Sequence, residues 1–467
     1  MLQVLNGKKA ERLLRAAACV LMAVCAAQFL LTEIRFALKA PFLDVLPYPV
    51  ALLVLCWIVR GDFRRRPLYW LGLAFIVWFA VTRLLIGDTR DRTPYYFLVE
   101  IGILYAFVFP FAHASGDAER LRFFDGFAAA FTALVTAGSL AGLWAVVGSR
   151  DWLVWNGGYR IGLNDALRLE ILGVNPNGCG VFMALAILLD FYLLARHWKP
   201  VRLVPALAAA LINYWALAAT DSRTAEISFC AAAGAAAAAL VFALVKKRTW
   251  LRAAAALCAA ALVAVLCYFG FGAGVRTINA LARQDGERRE AVAEPDGESG
   301  AAAPVWEIES REQGSFSTSG RVEVYKSFFA YLKDDPAVLL HGADNFTIRM
   351  MTSYGMEERL ANMKLSLHNS FFQTLATVGL PGLGLVLVLC VWLLIGSLRL
   401  LFGRERRAWE RLLPTVLLLL IVDSMAESPL FVPFDQTSNG MFDLLFFLCA
   451  GYVAELGRKE RAGARRD

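Results

Sequence analysis

The stretch LPGLGLVLVLCVWLLIGSL, residues 380–398, contains no charged side chain. As an α-helix it is long enough to cross a hydrocarbon core of about 30 Å. Soluble buried helices rarely run that far without a charge on one face. Similar apolar blocks of roughly 18 to 25 residues recur along the chain, separated by polar, arginine-rich or Gly/Pro-rich segments. The stretch therefore predicts a membrane-spanning helix in a chain built from many such helices.

Composition supports this class of protein. The chain is 58% hydrophobic and 19% charged, with a mean hydropathy of +0.54, whereas soluble proteins carry about 25% charged residues. The net charge of +7 does not indicate nucleic-acid binding, because the basic residues are distributed by membrane side. The nine cysteines lie almost entirely inside apolar blocks. Neither a disulfide framework nor a cysteine metal site is predicted.

We predict an all-α polytopic membrane protein with about twelve transmembrane helices. The first apolar block follows a basic segment that includes Lys8 and Arg12. No small-x-small cleavage site follows it, so a signal anchor is expected rather than a cleaved signal peptide. The approximate spans are residues 12–31, 46–60, 67–86, 95–113, 123–147, 177–195, 201–219, 226–245, 250–271, 380–401, 411–430 and 437–456.

Lysine and arginine side chains predict the orientation. They are concentrated in residues 60–66, 196–202, 246–252 and 404–411 and in the tail at 458–466. With twelve spans, these segments and the N-terminus fall on one side, which the positive-inside rule assigns to the cytoplasm. The intervening short connections are poor in lysine and arginine and are predicted to face outward.

Three regions follow from this count. Residues 1–271 hold transmembrane helices 1–9, residues 272–367 form a long extracytoplasmic loop, and residues 368–467 hold helices 10–12 and a cytoplasmic tail. Within the loop, the Glu/Gly-rich segment 284–314 is expected to be mobile. An amphipathic helix is predicted after Ser319, stopped before Pro336, and a second short helix around residues 357–364. The apolar residues of the first helix are Val322, Tyr325, Phe328, Phe329 and Leu332.

Charged residues in or beside the spans cluster at their predicted outer ends. Charges at that depth are costly and usually face a cavity. Arg83 and Glu100 match in depth, which allows an ion pair between them. Each such charge could also be structural or interfacial, but together they favour a water-filled cavity open to the outside. The other members of the group are Asp423, Glu427 and Asp443.

Two arginines are candidates for binding phosphate. Arg223 lies in the short turn Thr220-Asp-Ser-Arg-Thr224 between spans 7 and 8, and its planar fork suits a lipid-linked phosphate. An arginine that merely reaches into the interface is the alternative. Arg321 begins the predicted loop helix, where free backbone N–H groups attract anions. For Arg321 the alternative is a solvated surface side chain.

His368 is the candidate base. It lies in Leu367-His-Asn-Ser-Phe371, before an apolar helix that is interrupted by Gly379-Leu-Pro-Gly382. Histidine is the side chain best suited to take up a proton near neutral pH, although a lone histidine is more often structural. His341 lies in a glycine-rich connector, and His113 and His197 lie at predicted cytoplasmic ends. No Walker A, GxGxxG, HExxH or DxD pattern is found, so ATP-driven and metal-dependent chemistry is not supported.

The order and outer placement of these motifs resemble the O-antigen ligase and Wzy-type polysaccharide polymerase superfamily. The resemblance covers roughly residues 170–400. Its motifs are Gly173-Val-Asn-Pro-Asn177, Thr220-Asp-Ser-Arg-Thr224, Ser319-Gly-Arg321, Gly342-Ala-Asp-Asn345 and Leu367-His-Asn-Ser-Phe371 followed by Gly379-Leu-Pro-Gly382.

The resemblance implies a glycosyltransferase of the bacterial inner membrane that needs no cofactor, ATP or metal. Such enzymes move a glycan from undecaprenyl diphosphate to an acceptor hydroxyl, on another glycan or a lipid core, at the outer face. Arg223 and Arg321 would hold the diphosphate and His368 would activate the acceptor. Arg83, Glu100, Asn369 and Glu427 are expected to line the cavity. The 284–314 insert departs from the family and has no assigned role.

Several alternatives stay open at this point. A transporter or flippase of lipid-linked glycans would share the many spans and buried charges. An oligosaccharyltransferase would use a carboxylate base, for which Asp44 in the first outer loop is the candidate. A non-catalytic scaffold would leave the two arginines and the histidine unexplained. Within the favoured family, one sequence does not separate ligase from polymerase. The favoured mechanism requires Arg223, Arg321 and His368 to converge at one extracytoplasmic cavity.

Overall fold

A computed structural model describes residues 67–86, 117–148, 153–155, 159–164, 167–171, 175–245, 249–292, 308, 319–343, 367–403, 406–427, 430–431 and 439–463. These residues form eleven helices and three short strands. Before the long outer loop come α1 (Pro67–Ile86), α2 (Asp117–Val147), β1 (Leu153–Trp155), β2 (Tyr159–Leu163), β3 (Leu169–Glu170), α3 (Pro176–Arg196), α4 (Pro200–Ala219), α5 (Arg223–Leu244) and α6 (Thr249–Val292). After them come α7 (Ser319–Asp334), α8 (Val338–His341), α9 (Ser370–Phe402), α10 (Ala408–Asp423) and α11 (Asn439–Gly463).

Six helices are long and apolar enough to cross a membrane, so the chain is a multi-pass, mainly helical membrane protein. The six segments are Phe124–Val147, Pro176–Arg196, Pro200–Ala219, Arg223–Leu244, Thr249–Asp285 and Ser370–Phe402. Three more of the predicted spans correspond to α1, α10 and α11. The predicted spans 12–31, 46–60 and 95–113 lie outside the described residues.

Two helix bounds differ from the predicted ones. The helix α6 does not stop at residue 271 but continues to Val292, because Val275, Ile278 and Ala282 maintain a buried helical stripe beyond the apolar block. The predicted boundary at 271/272 therefore lies inside a helix, and residues up to 292 of the segment expected to be mobile are helical. The helix α9 begins at Ser370, ten residues before the predicted span, because the apolar helix expected after His368 continues into that span across the Gly-Leu-Pro-Gly break.

A small antiparallel sheet lies in the predicted outer connection 148–176. Its strand order is β1-β2-β3, with Val154 opposite Arg160 and Leu163 opposite Leu169. The all-α prediction did not include it, because strands of two to five residues leave no signal in a hydropathy window of helix length. The connection between β2 and β3, which contains Arg168, lies beside the start of α3.

The chain divides into two compact units. The first unit comprises residues 1–120, 317–399 and 420–467, and the second comprises 121–316 and 400–419. In the second unit, α3 packs against α4 and α5, and α5 packs along α6. The helix α3 is the most enclosed span, with 83% of its apolar window buried. The enclosed position explains why its sequence is apolar on all sides.

In the first unit, the predicted amphipathic helix after Ser319 is confirmed as α7. Its buried stripe is Val324, Phe328 and Leu332, which packs with Leu375 and Ala376 at the start of α9. Val322 and Phe329, predicted on the apolar face, are 40% and 48% exposed. Burying one side chain such as Phe328 contributes roughly 1.5–3 kcal/mol, so this cluster fastens the loop helix to α9. The predicted short helix at 357–364 lies outside the described residues.

Candidate active site

His368 lies just before α9 in a backbone conformation that residues other than glycine rarely adopt. Its φ is +45°, in the left-handed region. The next residue, Asn369, caps the helix: its Oδ1 accepts from the backbone N–H of Phe371 at 2.9 Å and of Phe372 at 3.0 Å. The sharp turn at His368 is thus followed immediately by a rigid helix end. Backbone strain of this kind is common at functional sites, where it fixes the orientation of a side chain.

The connection after α10 holds this turn from the other side. The backbone N–H of Ser370 donates to the carbonyls of Ser424 at 2.8 Å and Glu427 at 3.0 Å. The side-chain amide of Asn369 donates to the carbonyl of Met425 at 2.7 Å. Residues 369–370 are therefore hydrogen-bonded to residues 424–427, although the two segments are far apart in sequence.

The carboxylate of Glu427 lies within hydrogen-bonding distance of the imidazole of His368. The Nδ1 of His368 lies 3.1 Å from Oε2 of Glu427, and the two side chains are 30% and 14% exposed. A carboxylate at Nδ1 favours the tautomer with its proton there, so Nε2 becomes the basic nitrogen. The hydroxyl of Tyr325, on α7, donates to the backbone carbonyl of His368 at 3.3 Å. The arrangement suits a general base with a fixed ring orientation.

Arg321 is the third residue of α7 and lies in its first turn. It belongs to the same compact unit as His368. The helix that bears it touches the His368 turn through Tyr325 and packs on α9 through Phe328. The element that carries Arg321 is therefore held beside the element that carries His368.

Arg223 is the first residue of α5, in the second unit. The turn before it bends at Asp221, whose φ is +44°. Ser222 caps the helix by accepting from the N–H of Ala225 at 3.4 Å. Glu226, one turn along, interacts electrostatically with Asp221 and Arg223. The expected tight polar turn is confirmed, and it places Arg223 at a helix N-terminus.

Arg168 is a residue of this region that sequence reasoning missed. Its Nε donates to the carbonyl of Thr220 at 2.8 Å, and its Nη2 donates to Oδ1 of Asn177 at 2.6 Å and to the carbonyl of Asp221 at 3.3 Å. Arg168 thereby ties the start of α3 to the turn before Arg223. No motif surrounds Arg168 in the sequence, and only its position near the Asn-Pro-Asn motif could have drawn attention to it.

The Asn-Pro-Asn motif itself starts α3. Asn175 accepts from the N–H of Gly178 at 2.8 Å, and Pro176 occupies the first helical position, where a missing N–H costs nothing. Arg168 bonds the N-terminal end of α3, and Arg223 is the first residue of α5. Helix N-termini favour anions. Two arginines and two helix N-termini therefore lie at this end of the second unit, together with the carboxylates of Asp221 and Glu226.

The remaining cavity candidates have mixed outcomes. Arg83 is buried and donates to the carbonyls of Thr377 and Ala343. Its expected partner Glu100 lies outside the described residues, as does Asp44. Asn369 and Glu427 adjoin His368, as given above. Within the described ranges, no group of three or more His, Cys, Asp and Glu side chains could hold a metal ion.

Fold and site together define a multi-pass helical membrane protein with a histidine–carboxylate pair at a helix start and an arginine-bearing polar turn between two spans. Residues 205–387 match the family model of the O-antigen ligases. The match includes Arg223, Arg321 and His368, and it confirms the family resemblance. The match supports membership of the O-antigen ligase family, which suggests a glycosyltransferase-like role in polysaccharide biosynthesis. No curated protein matches the chain significantly.

Proposed function

We propose that this protein transfers a glycan from undecaprenyl diphosphate to an acceptor sugar hydroxyl at the outer face of the bacterial inner membrane. The acceptor belongs to a growing glycan or to a lipid core. The observation that carries the proposal is the His368–Glu427 pair, at 3.1 Å between Nδ1 and Oε2. A sugar hydroxyl is a poor nucleophile, and a histidine held in one tautomer is suited to remove its proton.

The reaction balances without a cofactor. The Nε2 of His368 takes the proton of the acceptor hydroxyl, and the hydroxyl oxygen forms a bond to the anomeric carbon of the donor glycan. The bond between that carbon and the diphosphate oxygen breaks, and its electron pair leaves with undecaprenyl diphosphate. The proton on His368 then passes to water. Glu427 holds the imidazole and compensates its positive charge while it carries the proton.

Arg223 and Arg321 bind the diphosphate in this mechanism. A diphosphate leaving group is a weak base and needs little protonation, but its growing negative charge needs compensation. Arginine supplies two parallel N–H donors to phosphate oxygens. Both residues lie in the first turn of a helix, α5 and α7, where the backbone adds partial positive charge. Support for these roles comes from the family match, which includes both residues.

The proposal places His368 and its partners on the extracytoplasmic side. The lysine and arginine distribution puts residues 404–411 and the tail in the cytoplasm. The connection that carries Glu427 lies one span away from each of those segments, and is therefore expected to face outward. The donor glycan is assembled on a lipid, so an outward-facing base would meet it at the membrane surface.

Deletion of the gene tests this function and separates its forms. A ligase predicts that long glycan accumulates on the lipid carrier and disappears from the cell surface. A polymerase predicts that single repeat units replace long chains. A flippase, by contrast, predicts that the lipid-linked glycan stays protected from a glycosidase added outside spheroplasts. Unchanged surface glycan in the deletion strain would contradict all forms of the proposal.

A further inference from the structure

The break in α9 leaves the backbone carbonyl of Thr377 without its helical donor. Gly379 has φ +69° and ψ −176°, outside the helical region. Two residues later, Pro381 has no N–H, so the carbonyl of Thr377 lacks the donor that an unbroken helix would supply four residues on. An unpaired buried carbonyl costs free energy. The helix therefore needs donors from elsewhere at this point.

Two side chains of α1 supply those donors. The guanidinium of Arg83 donates to the carbonyl of Thr377. The indole of Trp78 donates to the carbonyl of Val378 at 2.7 Å. Arg83 is only 4% exposed and lies 5.3 Å from the ring centroid of Phe79. Since burial of an arginine is costly unless it is well bonded, its bonds to this break are a strong local constraint.

The same arginine also bonds the outer-loop segment that follows α8. Its Nη2 donates to the carbonyl of Ala343 at 3.3 Å, and the N–H of Ala343 donates to the carbonyl of Ala376 at 2.7 Å. Here two backbones touch. A Cβ on Gly342 would overlap the carbonyl of Thr377, and a Cβ on Gly379 would lie 2.9 Å from the carbonyl oxygen of Leu339 and closer still to that of Leu340.

Both glycines have a positive φ, +79° and +69°, so larger residues are excluded twice, by space and by conformation. We call this contact between 342–343 and 376–379 the joint. The outer-loop helix α7, with Arg321 in its first turn, leads through α8 into one side of the joint. The first half of α9, which follows His368, leads into the other side.

We propose that Arg83 is a positioning residue for the transfer reaction: by bonding both sides of the joint, it sets the position of the helix that carries Arg321 relative to the turn that carries His368. The proposal rests on the proposed function for its effect on activity. Arg83 itself does not contact substrate. A displacement of reacting groups by about 1 Å can cost about 10²-fold in rate, so loss of this bond should lower activity without removing any catalytic group.

The first measurement is kinetic, on purified protein with a lipid-linked donor and its acceptor. Arg83→Met should lower kcat by about 10- to 100-fold with a smaller change in donor KM. Arg83→Lys should fall between Arg83→Met and wild type, because an ammonium group lacks the planar fork that bonds two carbonyls. A donor KM that rises while kcat stays unchanged would indicate that Arg83 binds the donor, and would overturn the proposal.

Arg252→Met is the matched control. Arg252 also donates to a backbone carbonyl, that of Phe242, from Nε at 3.2 Å and from Nη2 at 2.8 Å. Its guanidinium lies 4.3 Å from the centroid of the Phe242 ring. It belongs to the second unit and bonds no part of the joint. Its loss should leave kcat within about 2-fold, although hydrogen bonds to a backbone carbonyl are lost. An equal fall of kcat in both variants would mean that Arg83→Met acts through a general loss of stability, which would contradict a positioning role.

The second measurement is rescue by a covalent bond across the joint. Ala343→Cys and Ala376→Cys are introduced together into Arg83→Met, since the two backbones are hydrogen-bonded there. Copper phenanthroline with oxygen removes two electrons and two protons from the thiols and forms the disulfide. Oxidation should restore kcat by at least about 5-fold, and dithiothreitol should reverse the gain. A cross-linked protein that stays as slow as the reduced one would contradict a positioning role.

The rate of cross-linking separates this inference from the proposed function. Without any substrate, the two cysteines should oxidise more slowly in the Arg83→Met background than in the wild-type background, because the joint opens more often. The wild-type protein could transfer no glycan while cross-linking is still slower in the Arg83→Met background. The proposed function would then be wrong, and the role of Arg83 in holding the joint would be supported. If cross-linking is unchanged by Arg83→Met or Arg83→Lys, the joint fails, whatever the activity.

Discussion

Among the residues that the structure describes are two histidine–carboxylate pairs with similar geometry and different surroundings. His368 uses Nδ1 to contact Glu427 at 3.1 Å. His197 uses Nε2 to contact Asp125 at 2.8 Å. The carboxylate of Asp125 is shared, because it also accepts from Arg196 at 2.8 Å and from Tyr192 at 2.9 Å.

The difference teaches what a pair of this kind needs in order to act as a base. At His197 the contact with the carboxylate uses Nε2, and Arg196 compensates the charge of the same carboxylate. At His368 the carboxylate holds Nδ1, which leaves Nε2 as the basic nitrogen. His197 also lies at the end of α3 that is predicted to face the cytoplasm. We therefore interpret the first pair as catalytic and the second as structural.

The largest expected effect comes from His368→Gln. Removal of a well-placed base typically costs about 10²- to 10⁴-fold in rate, and donor binding should be preserved because the arginines remain. Turnover and donor binding are measured separately, with purified protein and a labelled lipid-linked glycan. A variant that keeps wild-type turnover would exclude His368 as the base.

Glu427→Ala should have the next largest effect. The imidazole then loses the partner that fixes its tautomer and compensates its charge, and kcat should fall by about 10- to 100-fold. Glu427→Gln keeps an acceptor oxygen for Nδ1 but no charge, so it should retain more activity than Glu427→Ala. If both variants turned over like wild type, the pair would have no part in the chemistry.

Arg168→Met should have a smaller effect, on the donor rather than the chemical step. Without its bonds to Thr220, Asp221 and Asn177, the turn before Arg223 loses its support. Donor KM should rise by about 10-fold, equal to about 1.4 kcal/mol of binding. Arg196→Met is the control, because it removes an arginine that bonds Asp125 and does not contact the turn before Arg223. It should lower thermal stability and leave donor KM unchanged; equal KM changes in both variants would remove the distinction.

The smallest expected effect is that of His197→Gln, which should leave turnover within about 2-fold. Asp125 keeps its bonds to Arg196 and Tyr192, and surface ion pairs contribute little to stability. Turnover and the midpoint of thermal unfolding are compared with those of His368→Gln. If His197→Gln lowered turnover as much as His368→Gln does, the distinction between a catalytic and a structural pair would be wrong.

Local patterns in the sequence were sufficient for much of the fold. Apolar length located nine of the eleven described helices, and amphipathic spacing located α7, although α9 begins at Ser370, ten residues before the predicted span. The family match to residues 205–387 also agrees with the motifs. These features depend on residues within a few positions of each other, and the physics of helix ends is local.

The partners of the site residues were not predictable in the same way. Glu427 lies 59 positions from His368, and Thr377 lies 294 positions from Arg83. Depth in the membrane suggested an ion pair for Arg83, but the partners that the structure describes are backbone carbonyls, which a sequence does not mark. The carbonyl partners of Arg168 were missed for the same reason. The short sheet was missed because its strands are below the length that hydropathy detects.

The most direct test follows undecaprenyl diphosphate release by purified protein supplied with a lipid-linked glycan and an acceptor, without ATP and with a metal chelator present. The account predicts that wild-type protein releases one lipid diphosphate for each new glycosidic bond. His368→Gln should bind the donor and release almost none. Full release by His368→Gln, or a wild-type protein that binds donor and acceptor but forms no bond, would contradict glycan transfer by this histidine.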